Sequence, residues 1–311
     1  MAGIMRERFV AVASELLDRD DRLAVVTADL TAEQFTQARH RHPERVLNLG
    51  IREQLLIGVG GGLALAGMRP VVHSFSSFLI ERPFEQIKLD LNHQGVGAIL
   101  VSAGASYDIA AAGRTHQSPG DVALLSTLPD WTIHVPGHPD EAEAQLREAV
   151  QGDGLVYIRL SNQANKEPYG LGGSPSPGEL HPLRQGGSAT VVVVGPLADT
   201  VLDAVDGLDV TVLYAATIRP FDADGLRAAI AGQREAAVIL VEPYLAGTST
   251  ALVSACLSRI PHRILALGVP HEELRRYGSS AQHARSHGLD RNGIRQSITE
   301  FLATDHGTVT G

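Results

Sequence analysis

The chain has 311 residues, of which 44% are hydrophobic and 20% charged, an ordinary globular composition with enough length for two domains. Its net charge of -9 argues against a nucleic-acid partner or a polybasic membrane patch, since both need a basic face. A single cysteine, Cys256, excludes an intrachain disulfide, a thiolate metal cage and a redox pair.

Met1 to Arg8 alternates charged and apolar residues without the apolar core of a secretory signal, and no apolar run reaches membrane-spanning length. A cytoplasmic protein is the expectation. Short β-branched runs then alternate with helical patterns, which predicts parallel sheets built from strand-helix-strand units. The predicted strands are Leu23 to Asp29, Val46 to Gly50, Pro70 to Phe75, Gly97 to Ala103, Trp131 to Pro136 and Val156 to Leu160. Helical patterns fall at Arg52 to Ala66, Leu79 to His93, Gly120 to Leu128 and Pro139 to Val150. Residues 1–162 therefore read as one doubly wound α/β domain. From 163 to 187 four prolines and several glycines interrupt the pattern, which predicts an interdomain linker. Strands resume near Ala189 to Gly195, Asp209 to Tyr214, Ala237 to Glu242 and Ile264 to Gly268, and a helix at Asn292 to Leu302 follows. A smaller α/β domain over 188–305 and a frayed tail at 306–311 complete the expected organisation.

Asp29, Glu53, Phe75 and the loop holding His116 each follow a predicted strand, so one rim of the first sheet collects an acid, aromatic rings and an imidazole. Open parallel sheets build ligand sites there. Glu53 lies in the first turn of an apolar helix, where the helix dipole alone favours a carboxylate. A partly buried Glu53 could instead hydrogen-bond a ring nitrogen or supply it with a proton. Gly58, Gly60, Gly61 and Gly62 in the same helix would let it pack close to a neighbouring backbone. Phe75 and Phe78 fit core packing or stacking on a flat heteroaromatic ligand. Arg82, one turn further on, fits a loop brace or a substrate contact. Arg114 could meet an anionic substrate group or a carboxylate of the protein. Gly152-Asp153-Gly154 resembles the start of a magnesium-diphosphate motif, but no asparagine pair follows at the required distance, and no phosphate loop of the Gly-x-x-x-x-Gly-Lys type exists. The chain by itself is expected to hold no metal.

Taken together, Thr27-Ala-Asp-Leu30, Gly50-Ile-Arg-Glu-Gln54, Phe75-Ser-Ser-Phe78, Arg82-Pro-Phe-Glu-Gln-Ile87, Thr115-His-Gln117 and Ile218-Arg-Pro-Phe-Asp222 resemble the transketolase family in order and spacing. The resemblance implies a thiamin-diphosphate-binding pyrimidine domain followed by a transketolase C-terminal domain. It implies that Glu53 contacts the aminopyrimidine ring nitrogen of thiamin diphosphate and so helps to activate the cofactor as a nucleophile. By the same resemblance Phe78, with Phe75, stacks on the pyrimidine, Asp29 belongs to the cofactor-proximal interface, and His116 hydrogen-bonds the substrate. The family's diphosphate-binding domain has no counterpart here. The resemblance thus implies a split enzyme, with this chain as β and a separate α chain that holds the diphosphate and Mg2+, in an α2β2 heterotetramer. The expected reaction moves a two-carbon ketol unit from a ketose donor to an aldehyde acceptor.

Two positions depart from the family pattern. Ala112 stands where an acid reads a substrate hydroxyl, and Asn162 stands where an arginine binds phosphate; Arg114 or Arg159 are the candidates to compensate. Two other functions share the fold: the β chain of a 2-oxo-acid dehydrogenase or decarboxylase, and a noncatalytic scaffolding subunit. The Thr-His-Gln segment favours transketolase over the former.

Overall fold

A computed structural model describes residues 4–171, 178–231, 236–273 and 275–303. Its first sheet contains β1 (Leu23–Thr27), β2 (Val46–Asn48), β3 (Arg69–Phe75), β4 (Ile99–Ala103), β5 (Trp131–His134) and β6 (Leu155–Arg159). The second contains β7 (His181–Arg184), β8 (Ala189–Val194), β9 (Val210–Ala215), β11 (Ala236–Leu245) and β12 (His262–Val269), and β10 (Thr217–Arg219) returns to the first sheet. Spatially the sheets run β10-β5-β6-β4-β3-β1-β2 and β12-β11-β8-β9-β7. All described pairings between strands are parallel except β10 with β5 and β7 with β9. Every residue of β1, β4, β6, β8 and β9 is buried, as continuous apolar strands covered by helices on both faces must be.

The chain visits β2 on one side of β1 and then crosses to β3 on the other. The order reverses between β1 and β3, and it is beyond the carboxyl ends at such a reversal that doubly wound sheets form their ligand crevice. The helix Glu53–Leu65 covers this region and packs closely. A Cβ on Gly61 would stand 2.6 Å from the Asp90 carbonyl oxygen, and one on Gly60 would stand 2.9 Å from Val72.

Four features lie beyond the sequence reading. The helix Ile4–Leu17 packs on Pro139–Gln151 through Arg8, which donates to Asp140 and Glu143 at 2.7 Å each, and through Arg147 to Glu15 at 2.7 Å. The expected helix from Leu79 to His93 is instead two wide π turns, Ser77–Glu81 and Ile87–His93, around a short Phe84–Gln86 helix. Pro83 has no amide hydrogen to continue a regular helix, and the Arg82 amide reaches back to Ser77. The stretch expected to be a linker carries β7 as an edge strand, with Pro182 tolerated there. Before it, Lys166 and Tyr169 both bond to Asp199 of the second domain. Finally, β10 belongs by sequence to the second domain but closes the free side of β5 in the first. The expected tail at 306–311 lies outside the described residues.

Candidate active site

The loop after β1, the helix after β2, the π turn after β3 and the loop after β4 meet at the crevice. Glu53 opens its helix with 6% of its surface exposed, while Ile51 and Arg52 immediately before it are open to solvent. A carboxylate so buried needs a partner. Arg82 supplies one, donating from Nη1 to Glu53 Oε1 at 2.7 Å, and lays its guanidinium 4.0 Å above the Phe78 ring. The Ser77–Glu81 turn sets Phe78 and Arg82 on one side, where the cation and the ring face can stack. No hydrogen bond to Glu53 Oε2 is formed by the described residues.

Phe75, Phe78 and His116, all half-buried, form an edge-to-face cluster. Ring centroids are 5.9 Å apart for Phe75 and Phe78, 5.5 Å for Phe75 and His116, and 4.9 Å for Phe78 and His116. Such an arrangement sets ring faces against ring edges and keeps the imidazole beside both phenylalanines. The Thr115 hydroxyl lies 3.0 Å from His116 Nδ1 and can orient the ring.

Asp29 sits with φ of 61° in the left-handed region, held by Asn48: Asp29 N donates to Asn48 Oδ1 at 2.9 Å and Asn48 Nδ2 donates to Asp29 Oδ1 at 2.9 Å. Asn48 thereby ties the β1 loop to the β2 loop that leads to Glu53. Thr31, also left-handed with φ of 67°, bonds to His73 of β3 at 3.0 Å. His73 Nδ1 donates to the Val101 carbonyl, so Nε2 accepts from Thr31, and burial pulls its pKa down to about 4. Backbone strain at Asp29 and Thr31 is thus maintained by side-chain bonds on both sides of the crevice.

Two arginines are accounted for by protein partners. Arg114 pairs with Glu273 of the second domain at 3.2 Å and donates to the Gln117 carbonyl at 2.9 Å, although its side chain keeps 47% exposure. Arg159 is 1% exposed; Nε donates to Asp121 Oδ2 and Nη2 to Ser106 Oγ, each at 2.7 Å, and Tyr157 donates to the same Asp121 oxygen. The substrate contact expected of Arg159 does not fit this placement, because its charge is consumed inside the protein. Sequence reasoning assigned no role to Asn48, Thr31, His73 and Glu81. Burial raises the pKa of the Glu81 carboxyl, which accepts from Ser118 at 3.1 Å. Asn48, inside the run Asn48-Leu49-Gly50, was the one of these that spacing could have flagged.

A thiamin-type aminopyrimidine needs a carboxyl group at a ring nitrogen and apolar surfaces on its faces. Glu53 with its second oxygen available, and the adjacent rings of Phe75 and Phe78, meet that requirement.

Comparison with known proteins identifies both halves of the chain. Residues 4–167 match the transketolase pyrimidine binding domain, and residues 178–294 match the transketolase C-terminal domain. An uncharacterized 33.6 kDa protein in the fasciation locus of Rhodococcoides fascians is 51% identical over 295 residues, covering 94% of this chain and 93% of that protein. One subunit of the apulose-4-phosphate transketolase of Actinobacillus succinogenes is 30% identical, covering 94% of this chain and 96% of that one. Of the 1-deoxy-D-xylulose-5-phosphate synthase of Thermus thermophilus, 28% identical, the match covers only 47%. A solved split-gene transketolase chain, described as an inactive beta4 tetramer, superposes with a TM-score of 0.80 at 26% identity over 96% of this chain and 98% of that chain. The chain belongs to the transketolase family, with the pyrimidine-binding and C-terminal domains of a split-transketolase β chain.

Proposed function

We propose that this chain is the β subunit of a two-component, thiamin-diphosphate-dependent transketolase that transfers a two-carbon ketol unit, with the diphosphate and Mg2+ held by a separate α chain. The observation that carries the reading is a buried carboxylate, Glu53, beside the Phe75, Phe78 and His116 rings at the point where the first sheet reverses. Near-complete coverage of a relative that is itself one subunit of a transketolase, against about half of the synthases, supports the division into two chains.

When bound, the cofactor would supply a carbon nucleophile able to take up a ketol fragment. This chain's part is to orient the cofactor and to stabilise a proton on its ring nitrogen. Glu53 offers a carboxyl oxygen to the pyrimidine ring nitrogen, and Arg82 fixes the other oxygen. Phe75 and Phe78 hold the ring plane and exclude water from the contact. His116 reaches a substrate hydroxyl or carbonyl and can give or take a proton there.

A surface stripe borders this site. Leu55 (45% exposed) and Leu65 (62%) lie on the exposed side of Glu53–Leu65 with Gly62 between them, Ile51 (68%) stands just before the helix, and Leu89 is exposed by 42%. An apolar stripe of this kind marks a protein interface, and its near end lies two residues from Glu53. That placement supports a cofactor pocket shared across protomers.

Co-expression with a candidate α chain tests the reading. The complex is expected to retain thiamin diphosphate and Mg2+ and to turn over ketose donors with aldehyde acceptors. Glu53→Ala is expected to leave assembly intact and to lower the rate by roughly 10²–10⁴-fold. Turnover of 2-oxo acids alone would move the assignment to the dehydrogenase and decarboxylase β chains. Unchanged rates in Glu53→Ala would make the subunit a scaffold.

A further inference from the structure

Between the segment Arg275–Gly278 and the helix Ser280–Ser286 lies an open cleft of about 430 Å³ lined by Arg276, Tyr277, Gln282, His283, Arg285 and Ser286. Each of the six carries a hydrogen-bond donor, two are permanently cationic, and none is a carboxylate, although the chain as a whole has a net charge of -9. Arg285 forms no ion pair with the described residues, and Arg276 donates from Nη1 to Ser286 Oγ at 2.5 Å, which sets two donors side by side. An adjoining hollow shares Arg276, His283 and Ser286 with the cleft and also holds Glu272 and Glu273; Glu273 is already engaged by Arg114.

Beneath the cleft, His283 is 1% exposed, and neither ring nitrogen has a hydrogen-bond partner. Its ring stacks on Tyr107 at 5.9 Å and lies 5.6 Å from His287, whose Nε2 is also without a partner. Buried polar nitrogens left unpaired cost roughly 1–3 kcal/mol each, so a native protein retains them where something else completes them. Burial first, and the neighbouring His283 and Arg276 after it, pull the pKa of His287 down to about 4.

We propose that this cleft binds an oxyanion of the phosphate type, with Arg276 and Arg285 as the charged fork and Ser286, Gln282 and His283 as neutral donors. Arginine forks match tetrahedral oxyanions geometrically as well as electrostatically. The cleft also touches the candidate active site. The Arg276 carbonyl accepts from Gln117 Nε2 at 3.1 Å. The Tyr277 ring lies so close to Gly113, which has φ of 76°, that a Cβ there would stand 2.6 Å from it. Gly113 to Gln117 is the loop that carries His116. An anion in the cleft would therefore either be the ester tail of a substrate reaching the His116 loop or a free phosphate that stiffens that loop; the first source rests on the transketolase reading.

The test is titration of the purified full chain with inorganic phosphate at constant ionic strength, followed by calorimetry. Saturable binding is expected, with at least tenfold weakening in Arg285→Gln and in Arg276→Gln and an intermediate loss in Arg285→Lys, which keeps charge without the fork. No saturable binding, or binding in both glutamine variants equal to that of the unsubstituted chain, overturns the proposal; this readout involves no turnover and is independent of the catalytic assignment. With the α chain present, a substrate tail predicts that phosphate competes and that Arg285→Gln raises KM only for phosphorylated substrates with kcat retained. Phosphate as a free ligand predicts a non-competitive effect that Arg285→Gln abolishes.

Discussion

Replacing Arg159 with methionine separates an internal strut from a substrate ligand. Methionine keeps the apolar stem but leaves the Asp121 carboxylate, 0% exposed, with only the Tyr157 hydroxyl at 2.7 Å and the Val122 amide at 2.9 Å. Removing one partner of a buried ion pair costs about 3–5 kcal/mol, because the surviving charge stays desolvated. For a domain stable by about 5–15 kcal/mol that is a large fraction. In urea, at a slope of about 3 kcal/mol per molar, the unfolding midpoint should fall by roughly 1–1.7 M. Replacing Asp121 by leucine in the same variant should recover much of the loss, since no unpaired charge then remains. An exposed arginine that only bound substrate would shift stability by no more than about 0.5 kcal/mol. A midpoint moved by less than about 0.2 M, together with a raised KM, would refute the structural assignment.

Gly61→Ala should destabilise the chain by about 1–3 kcal/mol in the same urea assay, since the added methyl group would meet the Asp90 carbonyl at 2.6 Å and one of two packed backbones must retreat. Leu55→Asp, on the exposed stripe, should leave the isolated chain folded and prevent it from joining its partner, as read by size-exclusion chromatography of the mixed subunits. Glu242 offers a pH test. It is 0% exposed, and burial raises its carboxyl from 4.5 to about 7. The folded state then binds a proton that the unfolded state releases above about pH 4.5, so stability should fall as pH rises from 4.5 through 7. Glu242→Gln should flatten that part of the profile; an unchanged slope would contradict the shift.

Most strands were legible in the sequence because they are apolar runs between turn signals, and their ends marked one rim of the first sheet. The meeting of Glu53, Phe75, Phe78 and His116 was legible for the same reason, since all follow strand ends on one rim. Depth was not. Arg159 ends a strand as a surface arginine could, and only the fold reveals that Asp121, 38 residues earlier, waits for it inside. Nor could periodicity find β10: three residues have no pattern, and their partner strand lies 83 positions away, as the bond between His134 and Thr217 measures. Pro182 made β7 read as a linker, although an edge strand can spare that amide. The Arg276 and Tyr277 contacts with the His116 loop link positions about 160 residues apart, beyond any local signal.

Because β10 is contributed by the C-terminal half, the pyrimidine-binding half cannot be excised cleanly. A polypeptide ending at the boundary near residue 187 would bare the backbone amides and carbonyls of Trp131–His134 along an unpaired sheet edge. Naked margins of that sort recruit strands from other molecules. Such a fragment should self-associate, and the two halves must be inherited, expressed and engineered as one piece.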